Sequence, residues 1–165
     1  MKLIIILLSF LPMTIWAQKD ESFAKFINED GSVIRGSSIT KNFERQIPVF
    51  NLETNSAKNS TTLRFTMNTE SASGVLRNLL LSGGRMRSGE ITVTYISFDR
   101  QLVRYKINME NIAVKECADS GGTTVVQLHA TRIGWTYYSY TKKGERSVSS
   151  KNGWDEESGT QWNNF

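Results

Sequence analysis

Chemistry-bearing residues are scarce in this chain: it has one cysteine, one histidine and two prolines. A lone cysteine, Cys117, excludes an internal disulfide, so stability has to come from packing or association. A structural zinc site needs four nitrogen or sulfur ligands, and Cys117 with His129 falls short of that set. A nucleophilic triad would have to recruit His129, and no serine stands in a Gly-x-Ser-x-Gly elbow. Ser82-Gly83-Gly84 and Ser120-Gly121-Gly122 lack the Gly-x-x-x-x-Gly-Lys spacing of a phosphate cradle and read as turns. Glycoside hydrolysis needs two carboxylates across a cleft, and Glu29, Asp30, Glu110 and Glu116 cannot be paired from sequence. The acidic cluster Asp155-Glu156-Glu157 lacks the spacing of an EF-hand loop. No catalytic, cofactor-binding or metal-ligating residue is therefore expected, and the chain reads as non-enzymatic.

Excess charge is also slight. Twenty basic residues stand against 16 acidic ones, interspersed, for a net of +4. The tightest basic cluster, Arg85-Met86-Arg87, is followed by Glu90 and reads as a solvated loop. It is too small for a nucleic-acid face.

Long apolar runs are missing except at the start. Leu3–Leu11 is about nine residues, the size of a signal-peptide core, against the roughly 20 that a spanning helix needs. Met1-Lys2 gives the positive start, Pro12 breaks the run, and Ala17 before Gln18 is the expected cleavage point. The expected organisation is a leader over 1–17 and one domain over 18–165. The protein is then exported, periplasmic or extracellular in a bacterium, with no stable membrane anchor.

What is present is strand pattern. Phe23–Asn28, Val33-Ile34-Arg35 and Ile47–Leu52 read as extended segments, the first two joined by the turn Glu29-Asp30-Gly31-Ser32. Pro48 marks a strand start or edge. Gly36–Gln46 reads as an extended loop and Asn55–Ser60 as a polar linker. Leu63, Phe65 and Met67 alternate on one face of Thr62–Asn68. Ile91–Phe98 and Leu102–Val114 follow, joined by a tight hairpin at Asp99-Arg100-Gln101, and Asp119–Gly122 turns the chain into Thr123–Tyr140. Ser71–Leu81 is the single helix: Val75, Leu76, Leu79 and Leu80 form its apolar stripe, Ser71 or Ser73 caps it, and Ser82-Gly83-Gly84 ends it.

Along the last long strand Val126, Leu128 and Ala130 point one way. Ile133, Trp135 and Tyr137 then take over, so the inward face switches near Arg132. A bulge or bend at Gly134 is the expected device. Trp135 and Tyr137 are expected to face inward, with Tyr138 and Tyr140 more exposed. His129 and Cys117 are expected as wall residues, His129 toward solvent or a neighbour and Cys117 partly buried.

The order of these pieces resembles the Hcp family (haemolysin-coregulated protein), the inner-tube protein of type VI secretion. Phe23–Ser37 with Arg35-Gly36-Ser37-Ser38 resembles its opening strand and Lys-Gly-Glu-Ser-type motif. Phe43–Ser56 resembles its next strand, Phe65–Gly84 the strand leading into its one helix, and Ile91-Thr92-Val93-Thr94 the strand after that. Tyr105–Val114 resembles its Tyr-x-Ile-x-Leu-x-(Asp/Asn)-Val-x-Val strand. Val125–Thr141 resembles its Val-x-Leu ending with Ile-x-Trp-x-Tyr, and Lys143-Gly144 and Gly153-Trp154-Asp155 its closing turn and tail.

The resemblance implies a mainly β fold, a small antiparallel β-barrel with one α-helix. It implies hexameric rings that stack into a tube and carry secreted effector cargo, with Ser37–Gln46 as the loop that meets the next protomer or ring. The leader departs from a tube loaded in the cytoplasm, so an exported relative is the variant reading. The alternative from another class is an exported, monomeric β-barrel that binds carbohydrate or protein. No nucleic acid is expected as a partner.

Overall fold

The computed structural model describes residues 20–57, 60–97 and 99–165. The expected leader lies outside them. The described chain runs β1 (Asp20–Asn28), β2 (Val33–Ile34), β3 (Ile47–Ala57), β4 (Ser60–Asn68), α1 (Ser71–Ser82), β5 (Arg85–Ser97), β6 (Arg100–Ser120), β7 (Thr123–Tyr140), β8 (Arg146–Asp155) and β9 (Thr160–Gln161). The expected class, mostly antiparallel sheet with one helix, is what is found.

Six strands follow one another as β4-β3-β1-β5-β6-β7, and β4 pairs back onto β7 to close the ring. Closure removes the edges an open sheet would expose. β7 is longer than the barrel is tall. Its first half pairs with β4, from Asn68↔Thr123 to Thr62↔His129, and its second half pairs with β8, from Arg132↔Asp155 to Tyr140↔Arg146. The sheet therefore forks beside Ala130, and β8 leaves the barrel there.

The core is filled as period-two alternation requires. Leu63, Phe65 and Met67 of β4 are buried, and Phe26 of β1 stacks on Phe65 with ring centroids 6.2 Å apart. α1 lies on β6 and buries Ala72, Ser73 and Leu76, with Leu79 and Leu80 packed at the margin. Val75, expected in that stripe, is exposed. Ala72 and Ser73 take inward positions instead, and the Ser73 hydroxyl accepts from Thr124 Oγ1 at 3.1 Å. The N-cap is Glu70, whose amide donates to the Ser73 hydroxyl at 3.1 Å, and Gly83 closes the helix at φ 68°.

The inward face switches where the sequence places the switch, by a different device. Gly134 sits in uninterrupted register with Asn108 on one side and Gly153 on the other, so no bulge is there. The kink belongs to Asn111 of β6, at φ 52°. Asparagine tolerates this left-handed region better than most residues. Arg85 Nη1 donates to the Asn111 carbonyl at 3.2 Å and to its Oδ1 at 2.6 Å, and Asn111 Nδ2 donates to Thr131 Oγ1 at 2.9 Å. Three strands change parity along this line: Met86 to Ile91 on β5, Met109 to Ile112 on β6, and Ala130 to Ile133 on β7.

Two further expectations are corrected. Arg85-Met86-Arg87 is the first turn-out of β5 and no loop: Met86 is fully buried and pairs with Ile112. Asn55–Ser60 is no linker either. Asn55 to Ala57 continue β3, and Ala57 pairs with Ser60 at the start of β4.

Candidate functional site

The sequence-predicted chemistry residues do not come together. Cys117 is half-buried beside α1, its Sγ 3.7 Å from the Ser73 carbonyl, and burial pushes its thiol up from the usual value. A raised thiol is a poor nucleophile at neutral pH. His129 sits at the fork of the sheet. Its Nε2 is 2.8 Å from Glu156 Oε2, and Glu156 Oε1 accepts the Thr61 amide at 2.6 Å. Glu156 thus bridges β4 and β7 where the last β4–β7 pairs give way to β8. Next to it, Arg132 donates to Asp155 at 2.8 Å and to Glu110 at 3.0 Å. The Arg132 guanidinium holds the Asp155 carboxyl below the usual carboxylate range. Asp155 and Glu156 of the acidic cluster are taken up by these pairs.

The aromatics divide differently from the expectation. Trp135 packs against the core margin, but Tyr137 is 41% exposed. Exposure grows along that face of β7 from Ile133 through Trp135 to Tyr137, and Tyr105 packs on the Tyr137 ring at 5.5 Å. Tyr140 is half-buried, its hydroxyl donating to the Val103 carbonyl at 3.1 Å and accepting its amide at 2.9 Å. Arg146 lies over the Tyr138 ring at 4.8 Å.

Several strand segments have one strand partner each among the described residues; Val114–Ser120 of β6 pairs with β7 alone but lies against α1, and two more lie on β3 and β8. From Phe50 to Ala57, β3 pairs with β4 alone. From Arg146 to Asn152, β8 pairs with β7 alone. The β8 segment carries Arg146 and Lys151 with Val148 59% exposed, whereas the β3 segment carries Glu53. Such edges present unpaired backbone donors and acceptors, a template for another chain. The two are unlike in sequence and opposite in charge.

A third feature projects beside β3. The loop 36–46 is pinned at its base by backbone bonds from Gly36 to Arg45 at 2.8 Å, Arg45 to Ser38 at 2.7 Å and Ser38 to Gln46 at 3.0 Å. A Cβ at Gly36 would lie 2.4 Å from the Gln46 carbonyl, so only glycine permits this crossing. Phe43 stacks on Phe23 at 4.4 Å, and Ile39 is 94% exposed at the tip. A groove of about 380 Å³ runs between this loop and the starts of β1 and β3.

On the outer face of β7 and β8 lies an element the sequence reading missed. Trp162 and Phe165 fold back over the facing pair Gly134 and Gly153. The Trp162 amide donates to the Gly153 carbonyl at 3.0 Å, and Trp162 is 8% exposed. Lys151 Nζ donates to the Phe165 carbonyl at 2.5 Å and lies 4.3 Å from its ring centroid. The signal available was two glycines inside strand patterns, which marks close approach of another chain segment.

This closed sheet with its branching strand and single helix recurs among solved structures. The crystal structure of Hcp1 from Salmonella typhimurium matches with a TM-score of 0.72 at 19% identity, over 87% of this chain and 99% of that one. The fold is that of the Hcp proteins. A structure titled as a type six secretion system protein matches at 0.74 and 14% identity, over 87% of this chain and all of the other. The secreted protein Hcp3 from Pseudomonas aeruginosa matches at 0.62 and 18%, over 80% and 98%. No protein-family model matches the chain, and no curated protein matches it by sequence. No helix among the described residues is long and apolar enough to cross a membrane.

Proposed function

We propose that this protein is a non-enzymatic structural component that assembles with copies of itself into a closed ring, as an Hcp-like part of type VI secretion or an exported relative of it. The carrying observation is a pair of unlike free edges, β3 from Phe50 to Ala57 and β8 from Arg146 to Asn152. An edge that met its own copy would give a two-fold dimer. An edge that meets a different edge gives a head-to-tail contact, and such contacts close into rings when the rotation allows. The opposite charges of Glu53 and of Arg146 with Lys151 favour the unlike pairing.

The Hcp-like fold supports six copies as the ring number and stacking as the route to a tube. The projecting Ile39 loop is then a contact to a neighbouring copy, and secreted effector protein is the cargo. The apolar start of the chain supports export, with the domain over 18–165 as the mature protein. Electron microscopy of the purified protein tests the reading. Particles with a central opening and six-fold appearance are expected, and a field of compact single barrels would refute it.

A further inference from the structure

The free edge of β8 has little to hold it. From Arg146 to Asn152 every residue is exposed, so this stretch buries neither face against the barrel. Its ladder to β7 is interrupted at Tyr137/Tyr138, where the register shifts. A strand paired on one side only, with no buried face, is marginal in water. Side-chain ties to β7 are made at the start of β8, by Ser147 to Ser139 at 2.8 Å and by Arg146 over the Tyr138 ring; at its other end the ties come from the strap Trp162–Phe165. The strap bonds Gly153 through the Trp162 amide and holds Lys151 through the Phe165 carbonyl and ring.

The seat of the strap is cut to shape. A Cβ on Gly134 would lie 2.3 Å from Phe165 Cζ, and one on Gly153 would lie 2.4 Å from the Trp162 carbonyl oxygen. Trp162 and Phe165 pack on each other at 4.6 Å, so the strap is a small apolar unit rather than a loose end. Two strand positions have given up their side chains to admit it.

We infer that the strap is the positioning element of the β8 edge: seated on Gly134 and Gly153, it fixes Arg146–Asn152 in the geometry that a second copy pairs with. This rests on the ring reading for its partner, but the link from strap to β8 is intramolecular and stands apart. Released, the strap leaves Arg146–Gly153 held by β7 alone, and the entropy of ordering the edge falls on the docking step.

Amide hydrogen exchange on the purified protein, with Phe165→Ala and Gly134→Val, tests it. In both variants exchange over Arg146–Asn152 rises roughly tenfold or more, the factor supplied by about 1.4 kcal/mol of local opening, while β1, β4 and β6 keep their protection. Assembly at a fixed protein concentration falls with it. Should Gly134→Val misfold, Phe165→Ala, which removes atoms and adds none, carries the test. Unchanged β8 exchange in Phe165→Ala overturns the inference, as does a loosened β8 with undiminished assembly. If the parent protein does not assemble at all, the ring reading fails while the exchange result still decides whether the strap positions β8.

Discussion

Gly134 and Gly153 stand directly opposite each other on β7 and β8, and the ring of Phe165 occupies space that a Cβ on either would claim. The conflict at Gly153 is the harder one, since a backbone carbonyl, that of Trp162, lies 2.4 Å from the Cβ position. Gly153→Ala is expected to destabilise the protein by about 1–3 kcal/mol, the usual range for overpacking. Urea unfolding measures the loss, and an unchanged midpoint contradicts the seat.

Asn111 carries the kink that reverses the inward face of three strands. Its φ of 52° is costly for a β-branched residue, and its side chain serves both Arg85 and Thr131. Asn111→Val is expected to cost about 1–3 kcal/mol, the range for a strained backbone position. Asn111→Gly relieves the strain while losing the same hydrogen bonds, so it is expected to cost less. Equal losses in the two variants would show that the backbone angle is not the reason for asparagine here.

Glu156 closes the seam between β4 and β7. Glu156→Ala leaves the buried Thr61 amide without its acceptor and is expected to cost about 1–3 kcal/mol. Glu156→Gln keeps one carbonyl oxygen for that amide and is expected to cost less. Thr61 is the site to watch, since its amide protection falls first if Glu156 closes the seam.

Asp155 sets an acid limit. Its carboxyl is held below the usual range, chiefly by the Arg132 hydrogen bond, while the unfolded chain keeps the ordinary value near 3.8. A depressed folded value means stability that is fully present above the unfolded value and is lost as pH falls through the folded one. Acid denaturation below about pH 4 is therefore expected to be shallower in Asp155→Asn than in the parent. Parallel acid limbs in the two proteins would show that the pair adds nothing.

The parts of the fold visible in the sequence are those written in local patterns. Leu63, Phe65 and Met67 alternate and are buried; the helix stops at Gly83; Gly121 and Gly122 take φ of 55° and 85° in the turn that joins β6 to β7. Where the reading failed, the cause was non-local. Arg85-Met86-Arg87 shows one apolar residue between two cations, too short a pattern to separate a strand from a loop, and only pairing with β6 decides it. Tyr137 follows the inward parity of Ile133 but lies four residues further along β7, where that face has run out of the core. Gly134 has the residue type of a bend, and its reason is Phe165. The free edges of β3 and β8 follow from the order of strands in space, which no run of sequence states.

The most direct test of the central claim is the mass of the protein in solution, by light scattering on a sizing column at micromolar concentration. The account predicts a closed multiple of the protomer, six for an Hcp-like ring, and its collapse toward a single copy in Val148→Lys, which sets a cation on the exposed β8 edge. A parent protein that runs as one protomer mass at that concentration contradicts it.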